Sequence, residues 1–340
     1  IGIRTFFNGP ESYSHDGRFT LGEAPDVKNY FVIAGVNSTG IQSGSGAGKA
    51  VADWIMAGHP TMDLSEMDPA RIEAFQAQDR YLQERCPETL VLTYAMHWPG
   101  RQRETARGLR RTPFYHALKA KGAVYTEMQG WERPSWFAPE GVAPVHDYAF
   151  GRPSWFDHTQ AEQKSAREGV VMIDYSMLGK HMVEGKDAEA FLQRVSTNDV
   201  SIVDGRVIYS LMLNDRGGIE GDVTIARHDK TRFMIMSAIS HTRRNRDHLK
   251  SAILANEDVI IRDVTSAYAV LALSGPLSRA VLETLVDISL SDKDFPPYSL
   301  QQFYIGHAPA FAQRLSFTGE MGWETFITPD FAGYVFEQLY

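Results

Sequence analysis

Residues 213–224 read Leu-Asn-Asp-Arg-Gly-Gly-Ile-Glu-Gly-Asp-Val-Thr, a pattern that predicts a β-hairpin. The runs 207–213 and 219–225 are rich in β-branched and apolar residues, and residues 214–218 hold the Asn, Asp and Gly that tight reversals need. The second strand carries a lone carboxylate, Asp222, just past the Gly-Gly turn. Two interpretations stay open for Asp222: a solvated strand residue on an exposed face, or a carboxylate placed for chemistry.

Length and composition indicate a globular protein of two or three domains, because 340 residues with 43% hydrophobic and 22% charged content are typical of such chains. No apolar run approaches the roughly 18 residues of a membrane helix, so we expect no membrane contact. A formal charge of −8 argues against nucleic acid as a partner. The single cysteine, Cys86, excludes an internal disulfide and, without a signal-like N-terminus, indicates the cytoplasm, or the mitochondrial matrix if the source is eukaryotic.

The beginning of the chain predicts the order strand, glycine loop, helix. Residues 31–35 form a short apolar strand that runs into the Gly-rich segment 37–48, and an apolar stripe from Ala47 to Ile55 marks the helix that follows. The glycines lack the spacing of a Walker A loop and of the dinucleotide fingerprint. Backbone N–H groups behind glycines at a helix N-terminus still suit an anion or an electron-rich ring such as a flavin, and the alternative is a tight turn.

Two features mark the middle of the chain. Five arginines occur between Arg101 and Arg111, four of them at helical spacing, and we interpret them as a solvated face. The string Arg-Pro-Ser-Trp-Phe occurs at 133–137 and again at 152–156, and this Pro- and aromatic-rich region predicts an extended crossover. With a linker near residue 62, these features predict the domains 1–61, 62–145 and 146–340.

The last part of the chain predicts an α+β domain, because helices and antiparallel strands alternate from residue 162 without strict βαβ order. It contains a second glycine-flanked carboxylate, Glu320, between Phe317 and Trp323. Aromatic rings can sandwich a planar heterocycle, and a carboxylate can accept paired N–H groups from an aminopyrimidine edge; the alternative is a charged hairpin tip. No Cys or His pair has ligand spacing, so we expect no metal site.

Longer motifs carry a resemblance to a known family. The first half of the chain contains three such motifs: Asn8-Gly9-Pro10-Glu11-Ser12, Ala34 to Ile41 and Gly130-Trp131-Glu132-Arg133-Pro134. The second half contains three more: Asp174-Tyr175-Ser176, Leu213 to Asp222 and Thr318-Gly319-Glu320. Together they resemble the dimethylglycine and sarcosine dehydrogenase family, over essentially the whole chain. The resemblance implies a multidomain α+β and α/β fold: the C-terminal part of a flavin-binding α/β oxidoreductase domain (1–61), a connecting domain (62–145) and an incomplete aminomethyltransferase-like folate domain (146–340).

The resemblance also implies an activity. An FAD-dependent enzyme would oxidise a small N-methylated amino acid and pass the one-carbon unit to tetrahydrofolate. Asp222 would be the catalytic residue beside the folate nitrogens, with Glu320, Tyr209 and Leu178 around the pterin. The flavin would be lined by Asn37, Ser38, Gly40, Ile41 and Gln42. Two positions depart from the aminomethyltransferase pattern, because Gly221 replaces the first of two consecutive acids and Met177-Leu178 stands where His-Met is common.

The same resemblance sets expectations about partners. We expect the chain to be cut at both ends, so that an N-terminal flavin domain and the C-terminal remainder of the folate domain are partners within the same protein. We then expect residues 1–340 not to bind flavin tightly. Oxygen or an electron-transfer flavoprotein would take the electrons. Two alternatives stay open: a non-catalytic folate-binding regulatory module, and a stand-alone aminomethyltransferase.

Overall fold

A computed structural model describes residues 2–340, which form two compact units. The first unit ends at Arg107, and the second unit runs from Gly108 to Tyr340. None of the helices in residues 2–340 is both long enough and apolar enough to cross a bilayer.

The first unit holds one small sheet and two long helices. Strands β1 (Thr20–Glu23) and β2 (Phe31–Ala34) pair antiparallel, and helices α1 (Gly40–Ala57) and α2 (Asp79–Tyr94) follow. Its core joins Leu21 of β1 to Ala47, Ala50 and Val51 of α1. These α1 positions are spaced as one stripe of an amphipathic helix, which confirms that part of the sequence prediction.

The predicted glycine loop at residues 37–48 is helical for most of its length. Helix α1 begins at Gly40, where the Ser43 amide donates to the Thr39 carbonyl at 2.8 Å. Gly44, Gly46 and Gly48 therefore lie inside the helix, and a Cβ at any of the three would meet no atom within 4 Å apart from the adjacent backbone of the helix itself. The loop prediction was wrong because packing of the apolar stripe outweighs the low helix propensity of three exposed glycines.

The arginine-rich segment 101–111 is not a helix either. In the first unit, Arg103 Nη2 donates to the carbonyl of Asp16 at 2.6 Å. In the second unit, the Arg110 guanidinium lies 4.3 Å from the centroid of the Trp131 ring. The interpretation as a solvated helical face was wrong, since several of these arginines brace loops and rings that are distant in sequence.

The second unit is built on two five-stranded antiparallel sheets. The first sheet has the order β10-β6-β9-β8-β7, with strands β6 (Gly179–Glu184), β7 (Val207–Leu213), β8 (Ile219–Asp229), β9 (Arg232–Ser237) and β10 (Ile260–Asp263). The second sheet has the order β12-β13-β14-β11-β5, with strands β5 (Val171–Asp174), β11 (Ala269–Ser274), β12 (Leu300–Ile305), β13 (Ala308–Gln313) and β14 (Gly322–Ile327).

Each sheet is packed on both of its faces. The sheets pack on each other through Met182, Met234 and Met236 of the first and Val270 and Phe326 of the second. The outer face of the first sheet is covered by α5 (Ala188–Val195) and α6 (Thr242–Ser251), and that of the second by α7 (Ser278–Leu282) and α8 (Ala332–Leu339). The mixture of helices with antiparallel sheets confirms the α+β prediction.

The repeated pentapeptide adopts two different structures. Residues 133–137 belong to β4 (Trp131–Phe137), which pairs with β3 (Ala123–Met128) beyond helix α3 (Tyr115–Ala120). Residues 152–156 instead lead into helix α4 (Phe156–Glu168). The predicted crossover corresponds to residues 138–155, which form no helix or strand, whereas the first copy is a strand because β3 supplies its hydrogen-bond partners.

Candidate functional site

The predicted hairpin at residues 207–225 is confirmed as the ribbon β7–β8. Its turn is closed by the Asn214 side chain, whose Oδ1 accepts from the amides of Arg216 (3.0 Å) and Gly218 (2.9 Å). Gly217 has a φ of +77°, the left-handed backbone that glycine favours. A bulge between Met212 and Leu213 then sets the register in which Leu211 lies opposite Asp222.

Asp222 lies on the inner face of the first sheet, the side that does not carry α5 and α6. Its neighbours Gly221 and Val223 are buried on the outer face, while Asp222 is exposed. No hydrogen bond or ion pair to its carboxylate is found within residues 2–340. The carboxylate is therefore free to meet a ligand or a further part of the protein.

Tyr209 and Leu178, predicted to pack at the same site, lie on this inner face. Tyr209 is opposite Thr224, which lies two residues along from Asp222 on the same face of β8, and Tyr209 is 55% exposed. Leu178 immediately precedes β6 and packs on the cluster of Met182, Met234 and Met236. The structure thus brings Asp222, Tyr209 and Leu178 to one face, which runs from the buried space between the sheets out to solvent.

A fully buried lysine occupies the same face. Lys180 is directly across from Met236, and Met236 is across from Thr224. Its Nζ donates to the carbonyls of Ser176 (2.8 Å) and Leu178 (2.9 Å). Burial lowers the pKa of Lys180 to about 7, against the raising effect of nearby carboxylates.

The second sheet presents a buried carboxylate and a buried amide toward this face. Glu324 on β14 lies opposite Gln313 on β13, and the two residues are 5% and 1% exposed. Glu324 shares its face of the strand with Phe326, which packs on the methionines of the first sheet. Glu324 Oε2 and both polar atoms of the Gln313 amide have no hydrogen-bond partner in the described chain. Burial raises the pKa of Glu324 to about 7, opposed by the charge of Lys180.

Unpaired polar atoms in a protein interior are costly, by about 1–3 kcal/mol each. A carboxylate oxygen and a whole amide left unpaired side by side therefore indicate a site that awaits N–H and C=O groups from a ligand. Glu324 and Lys180 were not among the predicted site residues. The signal that points to Glu324 is a charged residue next to Trp323, inside a strand that carries no other charge.

Glu320 has a different setting. It precedes β14 in the loop from β13, and its Oε1 accepts from Arg167 Nη1 at 2.5 Å. Hydrogen bonds from the Thr318 hydroxyl and from Arg167 lower the pKa of Glu320 to about 2. Glu320 lines an open cleft of about 390 Å³ together with Arg279, Tyr298 and Arg314. Within residues 2–340, no hydrogen bond or ion pair joins Glu320 to Asp222, Tyr209 or Leu178.

The residues predicted to line a flavin lie in the first unit, around the start of α1. Asn37 and Ser38 have φ values of +50° and +62°, a left-handed backbone that non-glycine residues rarely adopt. The buried Asn37 side chain is part of the turn itself, since its Oδ1 accepts from the Ser14 amide at 2.9 Å. The remaining three open the helix: Gly40 is its first residue, and Ile41 and Gln42 are exposed.

Comparisons with known proteins match this architecture. Residues 114–340 match the GCVT N-terminal domain, and residues 57–112 match the FAD dependent oxidoreductase central domain. The 4-methylaminobutanoate oxidase (formaldehyde-forming) of Paenarthrobacter nicotinovorans is 38% identical over 339 residues, which make up 100% of this chain and 41% of that protein.

Two mammalian proteins are also similar. The mitochondrial pyruvate dehydrogenase phosphatase regulatory subunit of Mus musculus is 32% identical, over 99% of this chain and 39% of that protein. The mitochondrial sarcosine dehydrogenase of Homo sapiens is 30% identical, over 96% of this chain and 40% of that protein. The chain thus spans less than half the length of these relatives.

The sequence-based resemblance to sarcosine and dimethylglycine dehydrogenases is confirmed by this match and by the mitochondrial dimethylglycine dehydrogenase of Mus musculus, which is 30% identical over 98% of this chain and 38% of that protein. The predicted boundaries near residues 62 and 145 and the individual site residues stay predictions. With 227 of its 340 residues, 114–340, matched by one pattern, the chain belongs to the GCVT N-terminal domain family, preceded by a segment of the FAD dependent oxidoreductase central domain.

Proposed function

We propose that the second unit binds tetrahydrofolate between its two sheets, and that the whole protein is a flavin-dependent oxidoreductase of small N-methylated amino acids. The observation that carries the proposal is the pair of carboxylates on facing sheets, Asp222 at the open edge and Glu324 in the interior. The interior one has an unpaired oxygen beside an unpaired amide, Gln313. The matched family and the names of the relatives support the reaction class.

The chemistry of the pterin fits this pair of sites. An aminopyrimidine edge offers neighbouring N–H donors, which a carboxylate accepts with both oxygens, and a carbonyl that an amide N–H can meet. We assign the edge to Glu324 and Gln313, with Leu178 against the ring. This replaces Glu320 in the role predicted from the sequence. Glu320 Oε2 is unpaired as well, but its Oε1 already accepts from Arg167, so this carboxylate cannot offer both oxygens to the edge.

Asp222 takes a role at the reactive nitrogens of the folate. A carboxylate there stabilises the positive charge of an iminium and accepts a proton as the new C–N bond forms. Its exposure in this chain leaves it within reach of an electrophile that arrives from outside the unit. Tyr209, beside it on the same face, supplies a flat surface for an aromatic ring.

In the first unit, the features that suit a flavin are those of the backbone around the start of α1. The left-handed turn at Asn37 and Ser38 directs the chain into an 18-residue helix, and the N–H groups of its first turn suit a group that gains negative charge. When bound, FAD would accept the hydride equivalent of the N-methyl group. Asn37, Ser38, Gly40, Ile41 and Gln42 would hold its pyrimidine side, largely through the backbone.

The folate proposal is tested by titrating 5-formyltetrahydrofolate, which does not transfer its carbon readily, into the 340-residue chain. We expect binding that Glu324→Gln weakens by about tenfold or more, the cost of about one charge-assisted hydrogen bond. The matched variant Glu320→Gln keeps the parent affinity under our assignment. Equal loss in both variants, or no binding by the parent chain, contradicts the proposal.

The regulatory alternative is favoured by one observation, the similarity to a phosphatase regulatory subunit. Asp222→Ala in the whole protein separates the two functions. An enzyme that couples oxidation to folate would continue to oxidise the amine and would release more free formaldehyde, with coupling reduced by about 10²-fold as for loss of a proton-transfer group. A regulatory module would oxidise no amine, with or without the substitution.

Partners and compartment follow as further proposals. The substrate is a small N-methylated amino acid, as the names of the relatives suggest. Oxygen or an electron-transfer flavoprotein accepts the electrons. A reducing compartment, the cytoplasm or the mitochondrial matrix, agrees with the single free Cys86.

A further inference from the structure

We infer that Lys180 is a positioning residue whose buried ammonium group favours the ionised form of Glu324, so that Glu324 can accept the N–H donors of a pterin edge. This inference rests on the proposed folate site and adds a residue that neither the family match nor the names of the relatives assign. Lys180 belongs to the first sheet, and the carboxylate on which it acts, Glu324, belongs to the second.

The geometry brings the two groups into one buried space. Lys180 and Met182 share the inner face of β6, and Glu324 and Phe326 share the inner face of β14. Met182, Met236 and Phe326 belong to one cluster between the sheets, and Met236 is the cross-strand neighbour of Lys180. Lys180 and Glu324 therefore face the same interior from opposite sheets.

The ammonium group is held in place by neutral acceptors. Nζ donates to the carbonyls of Ser176 and Leu178, in the segment that crosses from β5 in the second sheet to β6 in the first. No ion pair to Lys180 is found within residues 2–340, so its charge is not cancelled by a direct carboxylate contact. The same two bonds hold the backbone that carries Leu178 against the methionine cluster.

Several other titratable groups face this pair. Asp174 and Asp263 act on Lys180 together with Glu324, and all three raise its pKa. Asp174 is bonded to Thr112 and Ser176, and Asp263 to Thr265, so each is occupied locally. Tyr175 also faces Glu324, and burial raises the pKa of its hydroxyl, which keeps it neutral. Lys180 is the charge that lowers the pKa of Glu324.

The charge of Lys180 decides what Glu324 offers to a ligand. An ionised carboxylate accepts with two oxygens, whereas a protonated one carries an O–H donor that opposes the N–H groups of a pterin edge. Burial lowers the pKa of Lys180 to about 7 as well, so near neutral pH the two groups share one proton, and Glu324 is ionised when Lys180 holds that proton. Without the lysine, burial alone would act on Glu324, and the acid would stay protonated to a higher pH. Folate affinity should therefore rise with pH as Glu324 ionises, and Lys180 should set the pH at which this occurs.

The test measures the affinity of the 340-residue chain for 5-formyltetrahydrofolate from about pH 5.5 to about pH 9, a range on both sides of the pKa of Glu324 at about 7. For the parent we expect affinity to rise with a midpoint near 7. For Lys180→Met we expect that midpoint to move up by about one unit or more, the usual effect of losing an opposite charge. Lys180→Arg keeps the charge and should restore the midpoint. Lys230→Met, on the exposed β8–β9 turn, is the matched control.

A merely structural role for Lys180 gives a different result. Lys180→Met would then weaken binding by the same factor at every pH and leave the midpoint unmoved, which overturns the inference. In the background of Glu324→Gln, which has no acid to titrate, Lys180→Met should produce no midpoint shift at all. Absence of binding by the parent chain overturns the proposed function itself, whereas binding with an unmoved midpoint overturns only the role of Lys180.

A second measurement covers the case in which Lys180→Met does not fold. Infrared difference spectra of ligand-free protein follow the C=O stretch of a protonated carboxylic acid as the pH rises. We expect one such band to vanish at a higher pH in Lys180→Gln than in the parent, and to be missing in Glu324→Gln. A band that vanishes at the same pH in Lys180→Gln and in the parent contradicts the inference.

Discussion

Gly221 and Asn245 are in close contact: a Cβ on Gly221 would lie 2.6 Å from Asn245 Oδ1 and 2.9 Å from Met212 Cε. Helix α6 thus approaches the ribbon from behind, immediately next to Asp222. The contact explains why this chain has a glycine where two consecutive acids are common in aminomethyltransferases. Asn245 occupies the space that a side chain at 221 would need, and its own amide has no partner among the described residues.

Gly221→Asp should destabilise the protein by about 1–3 kcal/mol, because it overpacks this contact and buries a carboxylate. Urea unfolding measures the change in the free energy of unfolding. Adding Asn245→Ala should recover part of the loss, since it vacates the space. If the double variant is as unstable as the sum of the two single ones, the residues do not compete for one site.

Gly46→Ala should stabilise the first unit by about 0.5–1 kcal/mol, because Gly46 lies in an exposed helical turn with room for a methyl group. Thermal unfolding followed by circular dichroism measures the shift. Gly22→Ala is the contrasting variant, since its Cβ would lie 2.8 Å from the Trp54 ring at a φ of +140°. Destabilisation by Gly46→Ala would indicate that residues 40–48 are not helical in solution.

Glu324→Gln should raise the free energy of unfolding above pH 7 by at most about 3 kcal/mol while it weakens folate binding, because Lys180 loses a carboxylate that offsets the burial of its charge. The folded-state pKa of Glu324 lies above its unfolded value, so ionisation is disfavoured in the folded protein. The free energy of unfolding therefore falls as the pH rises from about 4.5 toward 7. Glu324→Gln removes this fall, because the substituted side chain does not ionise. Such an opposition of stability and binding is typical of a functional residue. Equal free energies of unfolding for Glu324→Gln and the parent above pH 7 would contradict this prediction.

His181 should make the second unit sensitive to acid. Burial lowers its pKa to about 4, and both ring nitrogens lack a partner in the described residues. Because the unfolded state binds the proton first, stability is complete above about pH 6.5 and falls as the pH drops toward 4, by up to about 3 kcal/mol. His228 is buried with a pKa lowered to about 4 and adds to the effect.

Replacing His181 with Gln should flatten this part of the pH–stability curve, as urea midpoints between about pH 4 and about pH 7 would report. His116→Gln is the matched control on an exposed position of the same unit. A curve that is equally steep in the parent and in His181→Gln would assign the acid sensitivity to other groups.

Local signals in the sequence were sufficient for much of the second unit. The Asn-Asp-Arg-Gly-Gly turn dictates the ribbon because its backbone needs residues that tolerate a left-handed φ. Strands β9 and β11 hold continuous apolar runs, 233–236 and 269–273, which suit strands buried on both faces. Such signals depend on neighbours within a few residues along the chain.

The tertiary structure decided what depends on burial. Glu320 and Glu324 are four residues apart and were equally plausible from their neighbours, yet one is paired with Arg167 and the other is enclosed between sheets. The copies of Arg-Pro-Ser-Trp-Phe became a strand and a helix entry because only one of them has a strand beside it. By itself the sequence determined the family, the hairpin and the position of Asp222. Packing of one sheet on the other determined that Glu324 faces Lys180, because the desolvation and charge that tune a carboxylate come from residues far away in the chain.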